Sequence, residues 1–135
     1  MKDKKTIAIS GYFDPLHVGH IEYIEMAAQL GDELVVIVNN DYQAELKKGK
    51  SFMQEADRLK IVAALKHVDS AFLSIDTDRS VCESLRAVNP DAFANGGDRA
   101  NDEIPEAKIC RELGIKIVDG LGDKIRSSSD YTGLK

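Results

Sequence analysis

Two short β-branched runs, TIAIS at residues 6–10 and ELVVIVN at 33–39, with one segment of helical period between them, constrain this chain's fold more than any other feature. The intervening IEYIEMAAQL sets Ile21, Ile24 and Ala28 on one helical face and stops at Gly31, a natural helix terminator. Strand, helix and strand in that order make a βαβ unit, in which the strands lie parallel and the helix covers one face. The alternation then repeats. A helix is predicted over 54–66, where Ala56, Leu59, Val62, Ala63 and Leu65 recur at helical spacing, followed by a strand at SAFLSI (70–75) and a helix over roughly 79–88. A fourth strand begins at Asp91, a helix runs from Glu103 to Leu113 and ends at Gly114, IKIVD (115–119) is a fifth strand, and Ser127 opens a short last helix. The pattern predicts a single α/β domain over residues 1–135: a Rossmann-like five-stranded parallel sheet whose right-handed crossovers put helices on both faces.

Composition narrows what such a domain does. The hydrophobic fraction of 43% and charged fraction of 30% are ordinary for a globular protein, and 135 residues suit one domain. No apolar run approaches the roughly 20 residues of a membrane span, and MKDKKTIAIS lacks the long apolar segment of a signal peptide. A cytoplasmic protein with no membrane partner is therefore expected. Cys82 and Cys110, the only cysteines, have no metal-ligand spacing and read as reduced thiols. The net charge of −5 argues against a nucleic-acid partner, because backbone binding needs a basic face. The clusters Lys47, Lys48 and Lys50, and Lys124 with Arg126, are either solvated surface or sites for a small anion.

In open parallel sheets, ligands sit outside the carboxyl ends of the strands, and the decapeptide GYFDPLHVGH (11–20) follows the first strand directly. It holds two of the three histidines. Gly11 lets the chain turn, and Pro15 delays the helix until about Val18, so that helix begins between His17 and His20. Its first turn offers unpaired backbone N–H groups and the positive end of the helix dipole, an arrangement suited to an anion. Three residues apart, the two imidazoles share one side of that site, and Gly19 clears space for a ligand. Zinc matches less well, because Asp14 is the only near candidate for a third ligand, and no metal-binding residues are assigned. No GxGxxG follows a strand, and Gly49-Lys50-Ser51 imitates a P-loop whose required earlier glycine falls on Ala44. A nucleophile elbow, GxSxG, is also missing.

These residues resemble the cytidylyltransferase-like nucleotidyltransferase superfamily, whose signature Gly-x-Phe-Asp-x-x-His-x-Gly-His stands here in full, with Tyr12 where many relatives carry threonine or serine. The resemblance continues through LGDELVVIVNND (30–41), KKGK (47–50), the Gln54 to Arg58 helix start, KHVD (66–69), NGGD (95–98) and KIRSSSD (124–130). It implies an enzyme that transfers CMP or AMP from CTP or ATP to a phosphorylated alcohol, sugar or phosphonate, releasing pyrophosphate with Mg2+. A non-catalytic nucleotide-binding or sensing domain is the alternative on the same fold. By the same resemblance His17 and His20 face the nucleotide phosphates, His20 stabilises the transition state, and the backbone N–H groups of Tyr12 and Phe13 point at the phosphates. Lys47 or Lys48, on a mobile loop, closes over the triphosphate or the acceptor phosphate. Asp14 orients a histidine or the magnesium shell, and Ser127 and Ser128 hold the outer phosphates. Gly97 and Asp98 border base and ribose. Arg58 lies near the acceptor or in a structural ion pair, and Arg99 beside Asp98 is an acceptor ligand or solvated. The VNND and NGGD stretches are more similar to bacterial heptose-phosphate adenylyltransferases, which favours ATP. Lys66 stands where glycerol-3-phosphate cytidylyltransferases carry an arginine, which keeps CTP open. The family also implies a homodimer, although no sequence stripe marks its interface.

Overall fold

The computed structural model describes residues 4–13, 16–51, 53–94 and 105–118. Strands β1 (Thr6–Gly11), β2 (Glu33–Val38), β3 (Ser70–Leu73), β4 (Ala92–Ala94) and β5 (Lys116–Val118) form one parallel sheet in the order β3-β2-β1-β4-β5. The helices are α1 (Val18–Ala28), α2 (Asp41–Lys48), α3 (Glu55–Ala63), α4 (Cys82–Val88) and α5 (Pro105–Leu113). This is the expected Rossmann-like α/β architecture. Among the described residues no helix is long and apolar enough to cross a membrane.

The period of the strands builds the core on both sides. Ile7, Ile9, Leu34, Val36, Val38, Ala92 and Ala94 belong to one cluster, which Ile24 and Ala27 of α1 and Val62 of α3 complete. Ala8, Ile37 and Phe93 face the other way, against Leu85 of α4 and Ala107, Ile109 and Cys110 of α5. Each large aliphatic side chain buried in this way contributes about 1.5–3 kcal/mol relative to exposure. Crossover handedness dictates the division. The chain steps outward from β1 through β2 to β3, then returns to β4 and steps outward in the other direction, so the helices of its two halves fall on opposite faces. β1 and β4 are neighbours at the reversal, the place where such sheets open a crevice for a ligand.

Three aspartates close the opposite end of the sheet, each standing one residue before a strand. Asp32 accepts the Lys5 N–H at 2.8 Å, Asp91 the Thr6 N–H at 2.7 Å and Asp69 the Leu34 N–H at 2.7 Å. Each bond ties the entry of one strand to its neighbour and so sets register away from the ligand end.

Helix α2 departs from the sequence-based reading, which left Lys47 and Lys48 on a loop. The helix has a capping box: Asn40 Oδ1 accepts the Gln43 N–H at 2.8 Å, and Gln43 Oε1 accepts the Asn40 N–H at 3.1 Å. Gly49, at φ 90°, ends it.

The turn from α1 into β2 is tight at Gly31. A Cβ there would lie 2.7 Å from the Lys5 carbonyl oxygen and 2.8 Å from Ile7 Cγ1. Gly31→Ala is expected to cost about 1–3 kcal/mol by overpacking, read as a lower urea midpoint with an unchanged slope. A wild-type midpoint would contradict the close approach.

Candidate active site

β1 delivers the chain into the decapeptide at Gly11, which still pairs with Val38. The glycine is required here by a side chain and not by a turn: a Cβ at position 11 would sit 2.8 Å from Phe13 Cζ. Phe13 lies almost wholly in the core and takes φ 52°, a left-handed conformation costly for a residue with a Cβ. Its ring meets the edge of His20 with centroids 5.0 Å apart. The strained turn therefore seats one of the two histidines.

His17 is the N-cap of α1, and the two histidines cap the helix reciprocally. His17 Nδ1 accepts the Gly19 N–H at 3.1 Å, and His20 Nδ1 accepts the His17 N–H at 3.1 Å. A ring nitrogen that accepts a hydrogen bond carries no proton, so in both neutral imidazoles the proton sits on Nε2. The rings lie 4.0 Å apart at an interplanar angle of 30°, so two Nε2–H donors are presented by adjacent rings. Burial, reinforced by the neighbouring His17, pushes the His20 pKa down to about 4. His20 is thus a neutral donor throughout the physiological range.

Arg58, expected near the acceptor or in a structural ion pair, occupies the second of these positions. Its side chain is inaccessible to solvent. Nε donates to the Met53 carbonyl at 2.9 Å, Nη1 to the carbonyls of Tyr12 at 2.8 Å and Asn39 at 2.6 Å, and Nη2 to Asp41 at 2.7 Å. With its donors committed to the protein's own acceptors, it is not placed to touch an acceptor molecule, and its assignment as an acceptor ligand is corrected accordingly.

Beside the histidine-bearing turn lies a cavity of about 590 Å³, lined among the described residues by Tyr12, Lys47, Asp78, Arg79, Ser80, Pro105 and Glu106. That volume falls within the range of small-molecule sites. Lys47 Nζ sits 4.6 Å from the centre of the Tyr12 ring. Burial raises the Tyr12 pKa above its ordinary value, and the Arg79 guanidinium, hydrogen-bonded to the phenol, opposes that rise. Gln43, wholly buried, fixes the loop behind Arg79 by donating to the carbonyls of Asp78 at 2.6 Å and Ser80 at 2.7 Å.

Of the residues read from sequence, the structure brings together Gly11, Tyr12, Phe13, His17, Gly19, His20 and Lys47 around the carboxyl end of β1. Asp14, the side chain of Lys48, Gly97, Asp98, Arg99, Ser127 and Ser128 lie outside the described residues. Sequence reasoning missed Arg79, Asp78, Ser80 and Glu106. DTDRS reads as a polar turn, and the capping box that brings Gln43 to it is a signal at Asn40, well upstream. Among the described residues no group of three or more His, Cys, Asp or Glu side chains gathers to hold a metal ion.

A family model described as "Cytidylyltransferase-like" matches residues 8–129. The chain is 38% identical over 117 residues to a bifunctional protein HldE of Desulfatibacillum aliphaticivorans, covering 85% of this chain and 24% of that protein. It is 35% identical over 112 residues to an FAD synthase of Pyrococcus abyssi, covering 82% of this chain and 75% of that protein. This chain thus spans about a quarter of the HldE protein's length. The crystal structure of a lipopolysaccharide core biosynthesis protein from Thermoplasma volcanium superposes with a TM-score of 0.74 at 31% identity, over 87% of this chain and 96% of that one.

Two outcomes test this geometry. An NMR titration of the imidazole Cε1–H signals is expected to give His20 a midpoint near 4. Unfolded histidine titrates near 6.5, so between these values the unfolded chain binds more protons and His20 lowers stability as the pH falls from about 6.5 towards 4. A midpoint in the ordinary histidine range would contradict its buried, neutral state. Separately, Arg58→Ala strips the ion-pair partner from Asp41 and the donors from three carbonyls, and is expected to cost about 3–5 kcal/mol in chemical denaturation. A loss below about 1 kcal/mol, the size of an exposed ion pair, would show that the cluster is not a buried tie.

Proposed function

The chain belongs to the cytidylyltransferase-like family, and on that premise we propose that it transfers AMP or CMP from ATP or CTP to a phosphorylated small molecule, with release of pyrophosphate. The acceptor is a phosphorylated alcohol, sugar or phosphonate. The observation that carries this reading is the reciprocal histidine cap, which turns two neutral Nε2–H donors outward from the start of a helix. An anionic phosphate at that point meets ring donors and the positive end of the helix dipole together.

An oxygen of the acceptor phosphate attacks the α-phosphorus of the triphosphate. A new P–O–P bond forms, the bond to the β-phosphate bridge breaks, and pyrophosphate leaves. A phosphate dianion needs no base to remove a proton, so the protein's task is to position the reactants and stabilise charge on the equatorial oxygens. His17 and His20 donate to those oxygens, with His20 the residue that follows the transition state. One such donor is commonly worth about 2.7–4 kcal/mol in the transition state. Lys47 supplies a cation from the end of α2. Mg2+ enters this reading as the partner of the triphosphate, whose β- and γ-phosphate charge it neutralises, and the described side chains form no cage of their own for it. A relative named FAD synthase favours ATP as donor, since FAD is an adenylylated flavin phosphate.

The test is a matrix of ATP, CTP, GTP and UTP against phosphorylated acceptors, read by pyrophosphate release. One nucleotide is expected to stand out, and His20→Ala should lower kcat by about 10²–10³-fold with the fold kept, at a thermal midpoint lowered by the lost helix cap. Nucleotide binding with no pyrophosphate release from any pair would favour the non-catalytic alternative. Full turnover by His20→Ala would remove that residue from the transition state.

A further inference from the structure

Arg79 sits in a loop built to hold it still. The carbonyls on either side of it, those of Asp78 and Ser80, both accept from Gln43 Nε2. Asp78 Oδ1 accepts the Ser80 N–H at 2.9 Å and hydroxyl at 2.7 Å, and Glu106 from α5 accepts the Val81 N–H at 2.9 Å. The loop's backbone is thus held from α2 and α5, yet the Arg79 side chain is exposed and forms no ion pair among the described residues. Lys47, in the same cavity, is also exposed, and its ammonium lies against the Tyr12 ring. Two cations with no carboxylate partner among the described residues therefore meet at the Tyr12 end of the cavity, where the chain runs on into the histidine-bearing turn. A guanidinium fork beside an ammonium suits a phosphate dianion.

Pro105 apart, the other described lining residues carry polar side chains. Asp78, Ser80 and Glu106 supply two carboxylates and a hydroxyl, groups that accept from substrate hydroxyls. Tyr12 is the only aromatic ring among the described lining residues, and Lys47 already lies over it. Among the described lining residues a broad flat ring system would find no uncovered aromatic face to stack on and would desolvate carboxylates.

We propose that Arg79, with Lys47 and Tyr12, clamps the phosphate of a hydroxyl-rich acceptor of the sugar-phosphate or polyol-phosphate class, whose hydroxyls are read by Asp78, Ser80 and Glu106. This names the acceptor of the transfer proposed above and rests on that reading. It makes Arg79 a specificity-determining residue, and it separates the two subsites: imidazole donors for the nucleotide, a guanidinium and an ammonium for the acceptor.

The experiment measures binding without nucleotide, so that it stands apart from turnover. The full chain, labelled with nitrogen-15, is titrated with glycerol 3-phosphate, ribose 5-phosphate and FMN. The Arg79 Nε–Hε signal, identified by its loss in Arg79→Lys, is followed together with the dissociation constants. At least one of the two hydrophilic phosphates is expected to shift that signal. Arg79→Ala should weaken its binding about 10-fold or more and Arg79→Lys by less, with the thermal midpoint unchanged because the side chain is exposed. Wild-type affinity in Arg79→Ala, no binding of either hydrophilic phosphate to the wild type, or tighter binding of FMN than of both would overturn the proposal. Arg79-dependent binding without pyrophosphate release would count against the transfer reaction alone. Pyrophosphate release with an unaltered acceptor KM in Arg79→Ala would count against the clamp alone.

Discussion

Arg58 joins the carboxyl ends of the two central strands at the point where the sheet stops supplying hydrogen-bond partners. The carbonyls of Tyr12 and Asn39 belong to the residues that follow β1 and β2 as the chain leaves the ladder, and one guanidinium nitrogen satisfies both. Burying a cation there is costly, and Asp41 offsets that cost by accepting from the other terminal nitrogen. Asp41 is the first residue of α2, so the bond that neutralises Arg58 also places that helix over the strand ends. From α2, Gln43 reaches the 78–80 loop and Lys47 reaches Tyr12. Both walls of the cavity thus trace back to one buried arginine.

The histidine pair obeys a different constraint. A helix start leaves backbone N–H groups unpaired, and the usual remedy is a hydroxyl or carboxylate cap. A carboxylate would put negative charge where the proposed reaction seats its phosphates. Imidazoles cap through Nδ1 and still carry a proton on Nε2, so the same two side chains complete the helix and each keep a donor. The Phe13 ring under His20 and the burial around it keep that imidazole neutral. Positive charge is left to Lys47 and Arg79. Chemistry that depends on a hydrogen-bond donor and chemistry that depends on charge are in this way assigned to different residues.

The five strands and the helices α1, α3, α4 and α5 were legible because each buries an apolar stripe, and burial leaves a period in the sequence. α2 carries almost none, since DYQAELKK packs through Gln43 and Ala44 and leaves Tyr42 and Leu46 exposed. Only its cap, Asn40 with Gln43, was there to be read. Arg58 could not be settled from sequence for a similar reason: an arginine on an otherwise polar helix turn reads as surface unless the carbonyls that surround it are known. Gly11 was assigned to a turn when its real constraint is the ring two residues on, a contact that only the left-handed backbone of Phe13 creates. The placing of the histidine pair at a helix start was legible in the decapeptide because it is local, lying within one strand end and one helix start. The cavity beside it is assembled from four separate segments, and no one of them carries a motif.

The tethering of those segments is unequal. The residues before α4 are held by Asp76, which accepts the Glu83 and Ser84 N–H groups at 2.7 and 2.9 Å, by Asn40, which donates to the Ser74 and Asp76 carbonyls, and by Glu106 and Gln43 further along. α4 has no side-chain cap at its own N-cap residue, so this borrowed set also finishes the helix. Among the described residues the side-chain hydrogen bonds of α2 fall in its first turn, through Asn40, Asp41 and Gln43, while Glu45, Leu46 and Lys47 in its last turn are exposed. The described bonds thus hold the backbone on both sides of Arg79, while the last turn of α2, which carries Lys47, has no such tie among the described residues.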